Sequence, residues 1–313
     1  MKKDDFMDED LNHFKKLLKN NGHEFTSQKQ LILRTILNYK THLNAKEIYE
    51  KIKYKDIGLA TVYRALKVFI GVMSGKGGVG KSSISVLIAK QLKKLGYSVG
   101  VLDADITGPS VPRLLGLKGK RATNNEQGIL PVETYDGIKV MSLNFLTEKE
   151  DDPAIWRGPM LSNVVKQFWT DVLWEDLDYL VIDMPPGTSD IALTVMQTMP
   201  INGIVMVSIP QDLVSMIVSK AVNMARKMNI DVLGVIENMS YITCPDCGKA
   251  IKLFDGENTN KFLEGMDLKL LAELPMLNSI SHLSECGHED INESLELIFK
   301  PVVTSIVKDL EEQ

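Results

Sequence analysis

The stretch GKGGVGKSS, residues 75–83, limits what this chain can fold into more than any other part of it. It satisfies G-x-x-x-x-G-K-[ST] with Gly75, Gly80, Lys81 and Ser82. An apolar run, FIGVMS, precedes it, and a helix-like segment, SISVLIAKQLKKL, follows. Strand, glycine loop and helix in that order aim successive backbone N–H groups at a phosphate, and the helix N-terminus adds a positive field. The loop residues Gly75, Lys76, Gly77, Gly78, Val79, Gly80, Lys81, Ser82 and Ser83 are therefore the expected phosphate cradle. Lys81 is expected to reach the outer phosphates and Ser82 to ligand Mg²⁺.

The segments after the loop set the fold class. VGVLDAD, IKVMSL, YLVIDMPP, GIVMVSIP and DVLGVIENM are short Val- and Ile-rich runs separated by helical stretches. Such runs read as buried parallel strands, and helices between them cover both sheet faces. The expectation for residues 70–313 is an α/β domain, a doubly wound and mostly parallel sheet of the P-loop NTPase kind. Apolar residues are 44% and charged residues 25%, as in ordinary soluble domains. No apolar run reaches the roughly 18 residues of a membrane helix. The N-terminus, MKKDDFMDEDLNHF, lacks the apolar core of a secretory signal. No membrane partner and a cytoplasmic location are the expectations.

The loop's first lysine makes the reading more specific. KGGVGKSS resembles the deviant Walker A loop of ATPases that dimerise face to face across two nucleotides. That resemblance implies a homodimer binding ATP and Mg²⁺, with Lys76 reaching the partner's nucleotide and Lys81 its own. It further implies that Asp105, in LDADITGPSVPRLLG, positions the attacking water, and that Asp103 and Asp183, at the ends of two core strands, hold Mg²⁺ with Ser82. Gly187 would offer its N–H to the γ-phosphate. Asn238, in ENMS, matches the asparagine that reads adenine in that class; as a residue it also suits an ordinary turn.

Three cysteines cannot build a disulfide framework, but Cys244 and Cys247 form a CxxC pair in CPDCG. Two thiolates at that spacing can bind one metal centre from one side of a turn. A tetrahedral zinc or a cubane cluster wants four ligands. A two-fold dimer would bring two pairs together. A structural zinc on Cys244, Cys247, Cys286 and His288 and a redox dithiol are the rival readings, while Cys286 alone reads as a free thiol. With GKGGVGKSS, DADITGPSVPRLLG, IWRGPM, DMPPGTSD, ENMSY and CPDCG in order, residues 70–310 resemble the Mrp/ApbC family of ATP-dependent iron–sulfur cluster carriers. The resemblance implies a [4Fe–4S] cluster bridged between two subunits by Cys244 and Cys247, with ATP turnover gating its transfer to apo-proteins.

Residues 1–69 differ from the rest. They carry 14 Lys+Arg against 9 Asp+Glu, whereas the remainder carries 22 against 32. Their pattern is of short helices between tight turns, a small all-α helix-turn-helix segment. TSQKQLIL, HLNAKEIYE and GLATVYRALKVF resemble the N-terminal winged-helix half of the ferric uptake regulator family. By that resemblance Thr61, Tyr63 and Arg64 face DNA, Arg64 at a phosphate or a guanine edge. The wing and the metal-binding dimerisation domain that complete that family are missing after residue 69, which argues against DNA as the principal partner. The alternative function is a DNA-binding regulator that uses the ATPase body as dimeriser or iron sensor. A positioning ATPase of the partition or septum-site kind is a third reading, against which CPDCG counts.

Overall fold

A computed structural model describes residues 31–32, 34–35, 50–52, 68–106, 108–126, 128–146, 159–175, 177–213, 216–244, 246–252, 257–276 and 293–311. The chain divides into two compact units, one of residues 1–67 with 175–177 and one holding the rest. In the first unit Leu31, Ile32, Arg34 and Thr35 are helical, as are residues 50–52, and Ile32 and Ile52 are buried. Thr61, Tyr63 and Arg64 lie outside the described residues.

The second unit opens with β1 (Val68–Ser74), whose seven residues are buried after the first. Phe69 closes GLATVYRALKVF and opens the apolar run FIGVMS; the strand takes it, with Val68 before it, and the two pair in parallel with Tyr179 and Leu180. Two parallel neighbours give a β-branched, apolar run more burial than one face of a short helix would. Next come α1 (Lys81–Lys94), β2 (Val99–Asp103) and the single turn α2 (Val111–Leu114). The hairpin of β3 (Thr123–Asn125) and β4 (Gly128–Leu130) stands apart, followed by β5 (Val132–Glu133), β6 (Lys139–Met141) and α3 (Pro159–Thr170). The second half runs through β7 (Tyr179–Asp183), α4 (Asp190–Thr198), β8 (Gly203–Ser208), α5 (Pro210–Leu213), α6 (Met216–Lys227) and β9 (Asp231–Thr243). It ends with β10 (Ala250–Lys252), α7 (Glu257–Gly265), β11 (Leu270–Pro275) and α8 (Glu293–Glu311).

Among the described residues nine strands form one sheet in the order β10-β9-β8-β1-β7-β2-β6-β5, with β11 also on β9. Within this sheet only β5–β6 and β9–β10 pair antiparallel; its other ladders are parallel. The fold is therefore the expected doubly wound one. Central strands β1, β2, β7 and β8 are buried on both faces, which explains why they read as continuous apolar runs. One face is covered by α1 and by α8, whose Phe299, Val302, Val303, Ile306 and Val307 join the same core as Ile84, Leu87 and Ile88. The amphipathic C-terminal stretch thus spends its apolar side on the core. No helix among the described residues is long and apolar enough to cross a membrane.

Candidate functional site

Parallel strands deliver their C-terminal ends to one edge of the sheet, and ligands of such sheets bind there. At this edge β1 runs into the glycine loop, β2 ends at Asp103 and β7 ends at Asp183. Asp103 and Asp183 are register partners, so the two carboxylates emerge side by side. The loop turns through left-handed backbone at Gly78 (φ 81°) and Gly80 (φ 86°), which side chains with a Cβ rarely adopt. A Cβ on Gly77 or Gly78 would meet nothing within 4 Å, so the loop's mouth is an open cradle of the kind a phosphate group needs.

The two lysines differ in setting. Lys81, the first residue of α1, is 6% exposed, whereas Lys76 is exposed. The Lys81 ammonium lies 2.8 Å from Asp183 Oδ1 and 3.7 Å from Asp105 Oδ2. Ser82 donates to Asp183 Oδ2 at 2.6 Å, and Ser85 donates to Oδ1 at 2.7 Å. Asp183 is fully buried, and these three partners compensate its charge. Asp103 receives the backbone N–H groups of Asp105 and Val111, both at 3.2 Å, and the Ser142 hydroxyl at 3.3 Å. Burial, and next the neighbouring Asp183, hold the Asp103 carboxyl well above the usual carboxylate range, with Lys81 pulling the other way. Two buried carboxylates competing for one ammonium make a setting in which a hard divalent cation gains energy. The hydroxyl of Ser82 and the carboxylates of Asp103 and Asp183 are oxygen donors suited to Mg²⁺.

Ser85 and Ser142 were not legible as site residues. Ser85 had a signal, because it stands four positions after Lys81 and so shares its helix face. Ser142 had none, since only the β2–β6 pairing brings it to Asp103.

Two expected phosphate and base contacts are otherwise engaged. The Gly187 N–H (φ 72°) donates to the Ser74 carbonyl at 2.8 Å, which ties the turn after β7 to the start of the glycine loop. Asn238 is not in a turn but inside β9, which continues five residues further to Thr243. Its Nδ2 donates to the Val79 carbonyl at 2.9 Å, and its Oδ1 is buried with no partner. A Cβ on Gly80 would come within 2.3 Å of that Nδ2, so the loop's second left-handed glycine is also what lets Asn238 approach.

The cysteines occupy the far end of the same strand. Thr243 of β9 pairs with Ala250 of β10, and the loop between them closes with Cys244 N–H to Lys249 O and Gly248 N–H to Cys244 O, both 2.9 Å. Cys244 is half-buried and Cys247 exposed. The backbone N–H groups of Cys247 and Asp246, then the Cys247 thiol, lower the Cys244 thiol below the usual cysteine range. Among the described residues no group of three or more His, Cys, Asp and Glu side chains is arranged to hold a metal ion. Cys286 and His288 lie outside them. Beside the thiols, Ile242 and its register partner Ile251 are exposed, at 37% and 48%.

Residues 65–311 match the family model for the NUBPL iron-transfer P-loop NTPase, and residues 20–73 match that of the ferric uptake regulator family. The iron-sulfur cluster carrier protein of Clostridium perfringens is 54% identical over 236 residues, 73% of this chain and 83% of that one. Its counterpart in Saccharolobus solfataricus is 40% identical over 273 residues, 85% of this chain and 92% of that one. A nucleotide-binding protein from Archaeoglobus fulgidus, solved in complex with ADP, is 37% identical, with a TM-score of 0.66 over 83% of this chain and 98% of its own.

Proposed function

We propose that this chain, which belongs to the NUBPL iron-transfer P-loop NTPase family, is an iron–sulfur cluster carrier that binds and hydrolyses ATP and passes its cluster to apo-proteins. The observation that carries the reading is the pairing of an open glycine loop with an exposed thiol hairpin on one strand of the same sheet. ATP with Mg²⁺ supplies the phosphoryl-transfer chemistry. Gly75 to Ser83 cradle the phosphates, Lys81 balances their outer charge, and Ser82, Asp103 and Asp183 hold the metal ion. Asp105, 13% exposed beside Lys81, orients the attacking water. The Asn238 Oδ1 is a buried acceptor, matched to the exocyclic amine of adenine. Gly187 exchanges the Ser74 carbonyl for the γ-phosphate.

The active form in this reading is a homodimer. Exposed Lys76 reaches the partner's nucleotide, and the exposed apolar Ile217 lies against Gly75. The cargo is a [4Fe–4S] cluster. Cys244 and Cys247 supply two thiolates per subunit, and four complete the cluster. The lowered Cys244 thiol favours this ligand form. Transfer is ligand exchange: an acceptor's thiolates replace those of the two hairpins, with no change in the count of iron or sulfide. The regulator alternative has no observation in its favour among the described residues.

Anaerobic reconstitution with iron and sulfide tests the proposal. A broad thiolate-to-iron absorption should appear in the natural chain and be lost in Cys244→Ser. A colourless product that binds one zinc per chain would refute it.

A further inference from the structure

Asn238 sits where β9 changes partners. From Asp231 to Glu237 the strand is held by β8, and from Val235 to Tyr241 by β11. The β8 ladder ends at Glu237, one residue before Asn238. From Tyr241 to Thr243 the strand carries β10 and leads into Cys244. The change-over is marked by Met239, whose φ of 55° is left-handed backbone that a residue with a Cβ adopts only when its surroundings impose it. The Ser240 hydroxyl donates to the buried Glu237 carboxylate and bridges that kink. Asn238 is 1% exposed, its donor is committed to the Val79 carbonyl, and its acceptor is unpartnered.

A buried acceptor left unpaired is costly, so this side chain gains when a donor enters the nucleotide site. The donor amide meanwhile holds the phosphate loop itself. Five residues of nearly continuous strand then separate Asn238 from Cys244, at most about 20 Å of backbone. Past Glu237 that strand has no β8 neighbour, and it bends at Met239 with β11 alone beside it up to Tyr241.

We infer that Asn238 is a positioning residue that couples the two sites. It links the phosphate loop, at Val79, to the cysteine hairpin through the Met239 kink, so that nucleotide binding shifts the hairpin. This rests on the carrier reading only in saying what the coupling is for; the coupling itself concerns the cluster-free chain.

Hydrogen exchange on the cluster-free protein at saturating Mg²⁺–ATP tests it. Amides of residues 241–252 should change their exchange rate severalfold when nucleotide is added. In Asn238→Ala, with saturation verified by titration, that response should fall below about twofold. Met239→Gly, which loosens the kink but leaves the nucleotide contacts in place, should lose the response while keeping the KM for ATP within about twofold. A merely structural role for Met239 would not separate the two readouts. A hairpin that ignores nucleotide in the natural chain overturns the inference, as does a full response in Asn238→Ala. If Asn238→Ala fails to fold or bind, the Met239→Gly response decides. Failure to bind iron would sink the carrier reading and leave this result untouched.

Discussion

At the residue scale the nucleotide site is organised around a carboxylate that water does not reach. Asp183 is fully buried and is neutralised by Lys81, Ser82 and Ser85. Removing one partner of such a pair leaves the other charge desolvated. Asp183→Ala should therefore lower the stability of the nucleotide-free protein by about 3 kcal/mol in urea unfolding, because Lys81 loses its nearest carboxylate and keeps more distant ones. Lys81→Ala should cost less, since both hydroxyls still serve Asp183. Equal costs would show that the serines do not compensate the carboxylate. The hairpin offers a second check at this scale. A thiol lowered in the folded chain favours folding above the ordinary thiol range, and that contribution fades as pH falls through the lowered value. Alkylation of Cys244 in the metal-free protein should have its pH inflection below that of an ordinary cysteine. Cys247→Ser should keep most of the shift, because backbone N–H groups lead its causes. An inflection at the ordinary value would remove the argument for a ready thiolate.

At the element scale the core strands were legible because each is buried on both faces and so is written almost wholly in Val, Ile, Leu and Met. The short edge strands were not. β5 has two residues, and β3, β4 and β10 have three, too few to show a period. Asn238 in ENMS also suited an ordinary turn, because Asn and Ser dominate turns, yet its backbone stays in β9 and Met239 bends. The partner of the C-terminal helix was not legible, because α1 lies far from it in the chain. In the fold its apolar face packs with α1 on the sheet, and Phe299 is fully buried. Phe299→Ala should cost about 3–5 kcal/mol in denaturant unfolding. A cost below about 1 kcal/mol would mean that α8 docks on the sheet only loosely.

At the scale of the whole molecule one chain joins a family member to a fragment that resembles another family. The matches overlap at residues 65–73, where β1 of the ATPase unit begins. The basic excess of residues 1–69 is a property of that segment alone. The second unit has its own core, its own glycine loop and both described cysteines, so the proposed activity is placed there. What one copy lacks is ligand number: two thiols do not complete a cluster that wants four. The central claim is therefore about two chains and one cargo. Native mass spectrometry of the anaerobically reconstituted protein measures it directly. A dimer holding one cluster of four irons and four sulfides is expected, absent in Cys247→Ser. A complete metal centre on each monomer would contradict it.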